Sequence, residues 1–339
     1  MTLHIVESRT AKAALSALVC FASVSASSGS AQAQEQNFDD VQIETLHVRD
    51  DVYMLVGAGG NVTVQIGDDG VLLVDTQFAP LSEKIVAAIA ELTAKPIRYV
   101  VNTHHHGDHI GGNANLRIAG STVIGGNMPG AVPYAEGGGA QVIAHENVLL
   151  RLSATLGSEQ EVASNMWPTN TFFDAEKRLH YNGEGIRIIH QPAAHTDGDV
   201  VVYFRRSDVV STGDVFSTTG WPIIDLEAGG SYEGVVAALS AIVDLIIPVY
   251  GQDGGTLVIP GHGRLSGLGD VLDYREMVIV IGDRLRGMID AGMTLDQVKA
   301  AQPAKDYEPV YGTSTSFWTT ERFVEAAYQS LSEQRRTEQ

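Results

Sequence analysis

The segment Asn102-Thr103-His104-His105-His106-Gly107-Asp108-His109-Ile110-Gly111-Gly112 constrains this chain more than any other stretch. Four histidines and an aspartate fall within six residues, directly after the apolar run Ile97 to Val101, which reads as a buried strand. Residues two apart at a strand end point the same way. His104 and His106 can therefore reach one metal ion, while Asp108 and His109, turning into the next element, reach a second. Gly107 is expected to supply the backbone freedom for that reversal, and Gly111-Gly112 to allow close packing beneath it. Three further candidates each follow an expected strand or its loop: His195 in Pro192-Ala193-Ala194-His195-Thr196-Asp197-Gly198, Asp214 in Ser211-Thr212-Gly213-Asp214, and His262 in Ile259-Pro260-Gly261-His262-Gly263.

Around these loops the chain alternates short β-rich runs with helical patterns. Val52 to Leu55, Val62 to Ile66 and Val71 to Asp75 are separated by the turn signals Gly57-Ala58-Gly59-Gly60 and Gly67-Asp68-Asp69-Gly70. Ser82 to Ala94 then spaces its apolar residues as a helix does, with Ser82 as its cap. A second round begins near Leu179, with strands at Ile186 to His190, Val200 to Phe204 and Val209 to Ser211, a helix from Tyr232 to Ile247 and a strand at Thr256 to Ile259. Gln141 to Leu156 and the tail from Asp270 onward read as helical and are expected to cover the core. Helices outside and sheets inside give an α/β chain folded as a four-layer αββα sandwich, with its sites on the loops at one sheet edge.

The first 33 residues of the 339 read as an export signal. Arg9 and Lys12 form a basic region, Ala13 to Ala26 is an apolar run too short to span a bilayer, and Ala31-Gln32-Ala33 is a small-x-small cleavage site. The expected mature chain is a single domain over 34–339 beginning at Gln34, with a helical C-terminal extension, and is periplasmic or secreted. Its net charge falls from −19 to −20, because the signal carries Arg9 and Lys12 against Glu7. The single cysteine, Cys20, is lost with the signal, which excludes thiol catalysis and thiolate ligands. The acidic balance repels phosphate backbones, so a nucleic-acid partner is not expected. After Gln34 no apolar run reaches eighteen residues, and no stable membrane insertion is expected after signal cleavage.

Taken together, His-x-His-x-Asp-His, a later His, a Gly-Asp and a Pro-Gly-His resemble the five signature motifs of the metallo-β-lactamase superfamily, in the order and approximate spacing of that family. The resemblance covers residues about 50 to 265 and implies the same αββα sandwich. It implies that His104, His106 and His195 hold one zinc ion, that Asp108, His109 and His262 hold the other, and that Asp214 bridges the two. Two zinc ions lower the pKa of a bound water from about 15.7 to about 7 and polarise the carbonyl under attack. Asp108 then has a catalytic role beyond ligation, orienting the nucleophile or returning a proton to the leaving group.

Export favours β-lactam hydrolysis, and with it antibiotic resistance, as the leading reading for a small-molecule substrate. Asp214 stands where many dedicated metallo-β-lactamases have a cysteine or a non-ligand, which keeps open a lactonase or esterase and a glyoxalase II-like thioesterase. An iron-dependent sulfur-oxidising enzyme and a non-enzymatic binding protein complete the alternatives, and histidine-plus-aspartate ligation suits zinc over iron. For substrate contacts, His145 on its expected helix and Trp167, Trp221 and Tyr134 in loops are the candidates. His105 is expected to face away from the metals, and His47, His180 and His190 to be ordinary strand or surface residues.

Overall fold

Alternating apolar side chains along each strand decide which layer it faces, and here they serve two sheets. The computed structural model describes residues 37–121, 139–247, 254–312 and 317–337. The expected export signal, its cleavage before Gln34, and Tyr134 lie outside those residues. The first sheet takes its strands in chain order: β1 (Glu44–Arg49), β2 (Val52–Val56), β3 (Val62–Gly67), β4 (Gly70–Val74), β5 (Ile97–Val101), β6 (Gln141–His145) and β7 (Asn170–Phe172). Pairing is antiparallel from β1 to β4 and parallel from β4 to β7. Between these strands run α1 (Ser82–Leu92), α2 (Gly107–Ile110), α3 (Asn113–Ala119) and α4 (Glu146–Ala154).

The second sheet holds β8 (Glu176–Tyr181), β9 (Glu184–His190), β10 (Val200–Phe204), β11 (Val209–Ser211) and β12 (Leu257–Ile259), antiparallel except for the parallel pair β11 and β12. Its helices are α5 (Tyr232–Ile246), α6 (Leu268–Asp290), α7 (Leu295–Ala301), α8 (Glu308–Tyr311) and α9 (Thr320–Thr337).

Along β10, Val200, Val202 and Phe204 point between the sheets, where they meet Met54, Leu72, Val74 and Val101 of the first sheet. Val201 points the other way, into a core shared with Leu239, Ile281 and Phe323 of the outer helices. On the far side of the first sheet, Val64, Leu73 and Val100 pack on Ile85 and Ile89 of α1 and Leu116 of α3. The result is the expected four layers. Phe204 is wholly buried, a position where truncation to Ala costs about 3–5 kcal/mol.

One strand face between the sheets is polar. In β3, Val62 and Val64 face the helices, so Thr63 and Gln65 face the second sheet and are fully buried there. Thr63 Oγ1 donates to Ser211 Oγ at 3.0 Å, and Gln65 Nε2 donates to Glu184 Oε1 at 2.9 Å while Gln65 Oε1 accepts from Asn182 Nδ2 at 3.0 Å. Glu184 also accepts from Ser207 Oγ at 2.9 Å, so the group is satisfied without water.

Three local expectations change. Gln141 to His145 is a strand rather than the start of a helix: the β-branched Val142 and Ile143 are buried in a parallel ladder beside β5, and only Glu146 onward is helical. Three consecutive apolar residues, Val142 to Ala144, carry too little periodicity to separate the two. Ser82 does not cap α1, since its hydroxyl donates to Ala79 O at 2.8 Å in the preceding turn. Gly107 opens α2 and has no positive φ, so the reversal after His106 needs no glycine there.

Candidate metal centre

All the candidate ligands leave the carboxyl ends of strands at one edge of the sandwich. His104 and His106 follow β5, His195 follows β9, Asp214 follows β11 and His262 follows β12. The amide of Val200 donates to Thr103 O at 2.8 Å, tying the two sheets together at this edge. Gly213 has φ +51, which L side chains rarely adopt, and a Cβ at Gly261 would collide with the Asp214 carboxylate. The Gly-Asp and Pro-Gly-His sequences thus mark places where backbone must pass close to a ligand.

The structure brings the seven residues together. His104, His106 and His195 present ligand atoms within 4.8 Å of one another, as do Asp108, His109 and His262, and as do His104, His109 and Asp214. Asp214 Oδ2 lies 4.0 Å from His104 Nε2 and 3.8 Å from His195 Nε2, while its Oδ1 lies 3.2 Å from His109 Nε2 and 3.4 Å from His262 Nε2. One carboxylate therefore faces two sets of imidazoles. Asp108 Oδ2 is 3.2 Å from His262 Nε2.

Outer hydrogen bonds fix which nitrogen each ring turns inward. Thr103 Oγ1 donates to Asp75 Oδ2 at 2.7 Å, so it accepts from His104 Nδ1 at 3.0 Å, which leaves His104 Nε2 as a bare, buried lone pair with no hydrogen-bond partner among the described residues. His195 Nδ1 donates to the carbonyl of Ile223 at 2.8 Å, and His106 Nε2 donates to Asp225 Oδ2 at 2.9 Å. His195 Nε2 and His106 Nδ1 then face each other at 2.9 Å with both ring protons committed elsewhere. His109 Nδ1 donates to Asp75 Oδ2 at 2.7 Å, leaving its Nε2 for the centre. Converging lone pairs, each oriented by an outer acceptor, are what a divalent cation requires, and the donor set fits one.

The electrostatics agree with that fit. Burial, aided by neighbouring imidazoles, pushes His104 well below its ordinary value, and burial takes His195 down to about 4. Burial opposes protonation of His109 and His262 as well, yet Asp214 and the carboxylates of Asp75 and Asp108 raise the first strongly and the second to about 9. Asp214 is itself held well below the usual carboxylate range, because His109 and His262 outweigh its burial. A buried carboxylate that draws two protons to its neighbours calls for positive charge beside it.

A cleft of about 1080 Å³ opens above the centre, with His106, Asp108, Asp214 and His262 on its floor and Trp221 in its wall. The other expected substrate contacts lie elsewhere. His145 is buried at the end of β6, where its Nδ1 accepts from Asn147 N and its ring stacks on His190 at 3.6 Å, a consequence of the strand that replaced the expected helix. Trp167 packs with Ile110, Val148 and Leu152 and donates its indole N–H to Val162 O at 2.9 Å. His105 is half-buried beside His106, and burial pushes it down to about 4. Sequence reasoning missed Asp75, Thr103 and Asp225. A lone aspartate after a strand looks like a turn residue, and only the positive φ of Asp75 sets it apart.

Comparison with known proteins adds an independent line. The sequence profile of the metallo-beta-lactamase superfamily matches residues 55–262, from β2 to the last candidate ligand. A linear primary-alkylsulfatase of Pseudomonas sp. (strain ATCC 19151) is 23% identical over 259 residues, covering 68% of this chain and 47% of that protein. A metallo-beta-lactamase type 2 of Bacillus cereus is 23% identical over 212 residues, covering 62% of this chain and 69% of that protein. Among solved structures, the stereoselective inverting sec-alkylsulfatase Pisa1 from Pseudomonas sp. superposes with a TM-score of 0.61 at 16% identity, covering 85% of this chain and 50% of that one, a likeness of fold. The chain spans about half the length of these alkylsulfatases.

Proposed function

The chain belongs to the metallo-beta-lactamase superfamily, and from that premise we propose that it is a metal-dependent hydrolase of small-molecule esters and lactones. Zinc is the cation that suits its donors. The observation that carries this reading is Asp214, whose two oxygens face two different imidazole sets. A single cation would leave one set unused. His104, His106 and His195 would hold one cation, Asp108, His109 and His262 the other, with Asp214 between them. When bound, such a pair supplies an activated water at neutral pH and polarises the carbonyl that the water attacks.

The protein's own groups do the rest. Asp75, Asp225, Thr103 and the carbonyl of Ile223 hold the ring orientations, so the donors need no rearrangement during reaction. Asp108 lines the cleft within 3.2 Å of His262, where its carboxylate would orient the attacking water, take up the proton that water releases and pass it to the leaving oxygen. Trp221, Ile223 and Ile224 give the cleft an apolar side that limits access of bulk water.

β-Lactam hydrolysis is the second reading, favoured by the alignment with the Bacillus cereus enzyme over 69% of its length and by the export signal expected from the first 33 residues. An exported location remains part of the proposal. Two relatives are named for alkyl sulfates, so a sulfate ester belongs in the test. The experiment is a comparison of kcat/KM on zinc-loaded protein for an acyl ester, a homoserine lactone, a chromogenic cephalosporin, an alkyl sulfate and a glutathione thioester. Ester or lactone turnover near 10⁴ M⁻¹s⁻¹ or above, roughly ordinary enzyme efficiency, supports the reading. Efficient turnover of the cephalosporin alone overturns it in favour of the second.

A further inference from the structure

The cleft is longer than the metal centre needs. Its floor belongs to the ligand loops, but one wall is made by Phe317, Trp318, Arg322 and Ala326, all beyond residue 262, where the family match ends. The facing wall is the segment after Asp214, with Gly220, Trp221 and Ile224. The two are tied together. Trp221 Nε1 donates to Thr320 Oγ1 at 3.1 Å, Trp318 Nε1 donates to Pro222 O at 2.9 Å, and the Trp221 ring stacks on Phe323 with centroids 5.0 Å apart and planes 2° from parallel. Tyr274 OH holds the carbonyl of Gly220 at 3.3 Å. With both indole N–H groups bonded to protein and Trp221 buried against Phe323, the partly exposed Trp318 ring is what offers a ligand apolar surface, and it is fixed in place.

We propose that the start of α9 and the turn before it form a specificity wall, and that the substrate carries a linear apolar tail. The tail lies between Ile223 and Leu226 on one side and Phe317 and Trp318 on the other, exposed or partly exposed residues that line the cleft, with its reactive ester at the floor. The nature of the reactive group rests on the functional reading above; the tail does not. An apolar slot of this kind rewards each buried methylene by roughly fourfold in affinity or kcat/KM, until the slot is full. A wall outside the family match lets the chain choose its substrate without touching a ligand.

Gly220 makes the wall testable. Among the described residues a Cβ built there meets only Tyr311 O, at 3.9 Å, so Gly220→Phe is the variant that adds a ring at the edge of the cleft Gly220 lines. The first measurement is binding of 1-alkanols from butanol to dodecanol, followed by tryptophan fluorescence. Two of the chain's three tryptophans, Trp221 and Trp318, line the cleft, whereas Trp167 does not. The second is kcat/KM for p-nitrophenyl esters from acetate to decanoate on zinc-loaded protein. Affinity and kcat/KM are expected to climb about fourfold per methylene over several carbons, and Gly220→Phe to cut the decanoate-to-acetate ratio at least tenfold. Trp318→Ala, checked for folding by circular dichroism, should flatten the same slope. Alkanol affinity that does not depend on length, or a Gly220→Phe profile identical to the wild type, overturns the tail. Length-dependent alkanol binding without turnover of any ester overturns the ester reading and leaves the wall standing.

Discussion

On the floor of the cleft, His104, His109 and His195 are at most 1% exposed, and each ring has its outer nitrogen anchored by Thr103, Asp75 or Ile223. Along the wall, Phe317 is 68% exposed, and Arg322 and Gln329 stand free of the core. The floor is assembled from strand ends that two sheets already hold in register, so its geometry comes with the fold. The wall is a later segment fastened to Trp221 and Pro222 of the facing wall by two indole hydrogen bonds and a stacked ring pair. Reaction type is thus coupled to the strand ends that set the ligands, while the proposed substrate wall draws on a segment beyond residue 262, where the family match ends.

Removing the cations should break the floor and leave the wall. Chelation is expected to abolish hydrolysis of every substrate, with zinc restoring it and metal analysis returning close to two ions per chain. Full turnover in chelated protein would end the metal reading. Asp214→Ala comes next: second-site occupancy should fall and kcat drop by roughly a hundredfold or more, because the variant deletes a group shared by both sites. Two ions per chain with unchanged kcat would deny Asp214 its bridging place. Asp225→Asn keeps the shape but weakens the acceptor behind His106, and about 10- to 100-fold in metal affinity or activity is expected, as for outer partners generally. A change confined to KM would instead place Asp225 among substrate contacts.

The smallest effect lies outside both regions. Glu176 accepts a bidentate pair from Arg187 across β8 and β9, and that pair, aided by Arg178 and against its partial burial, holds the carboxyl down to about 2. A depressed carboxyl stabilises the fold above its unfolded value of about 4.5 and loses that contribution as pH falls toward 2. Both side chains are partly exposed, so Glu176→Gln should cost less than about 1 kcal/mol at pH 7 and less still at pH 2, where the carboxyl is about half protonated, with kcat unchanged. Denaturant melts at the two pH values check it.

The floor was legible in sequence because its chemistry is dense there. Four histidines in one loop have no ordinary structural explanation, and Asp214 and His262 each sit beside a glycine that the close backbone approach requires. Strands buried on both faces, such as Ile97 to Val101, also declared themselves by composition. The outer shell did not. Asp75 and Asp225 become partners of His109 and His106 only through long-range folding, 34 and 119 residues away in the chain. His145 was misplaced for a related reason: three consecutive apolar residues leave helix and strand equally open, and the choice reverses which way its ring points.

The polar face of β3 bears on the centre from a distance. Gln65, Glu184 and Asn182 meet where β9 begins, whereas His195 follows its other end. Apolar sheets alone can slide over one another at little cost. Here a slip of one residue pair, about 6.6 Å along a strand, would strand several buried polar groups at about 1–3 kcal/mol each. The same slip would carry His195, Asp214 and His262 away from His104, His106 and His109. These buried amides and carboxylates act as dowels: set at the remote end of the sandwich, they align its two halves, and the spacing of the two ligand sets at the near end inherits their precision.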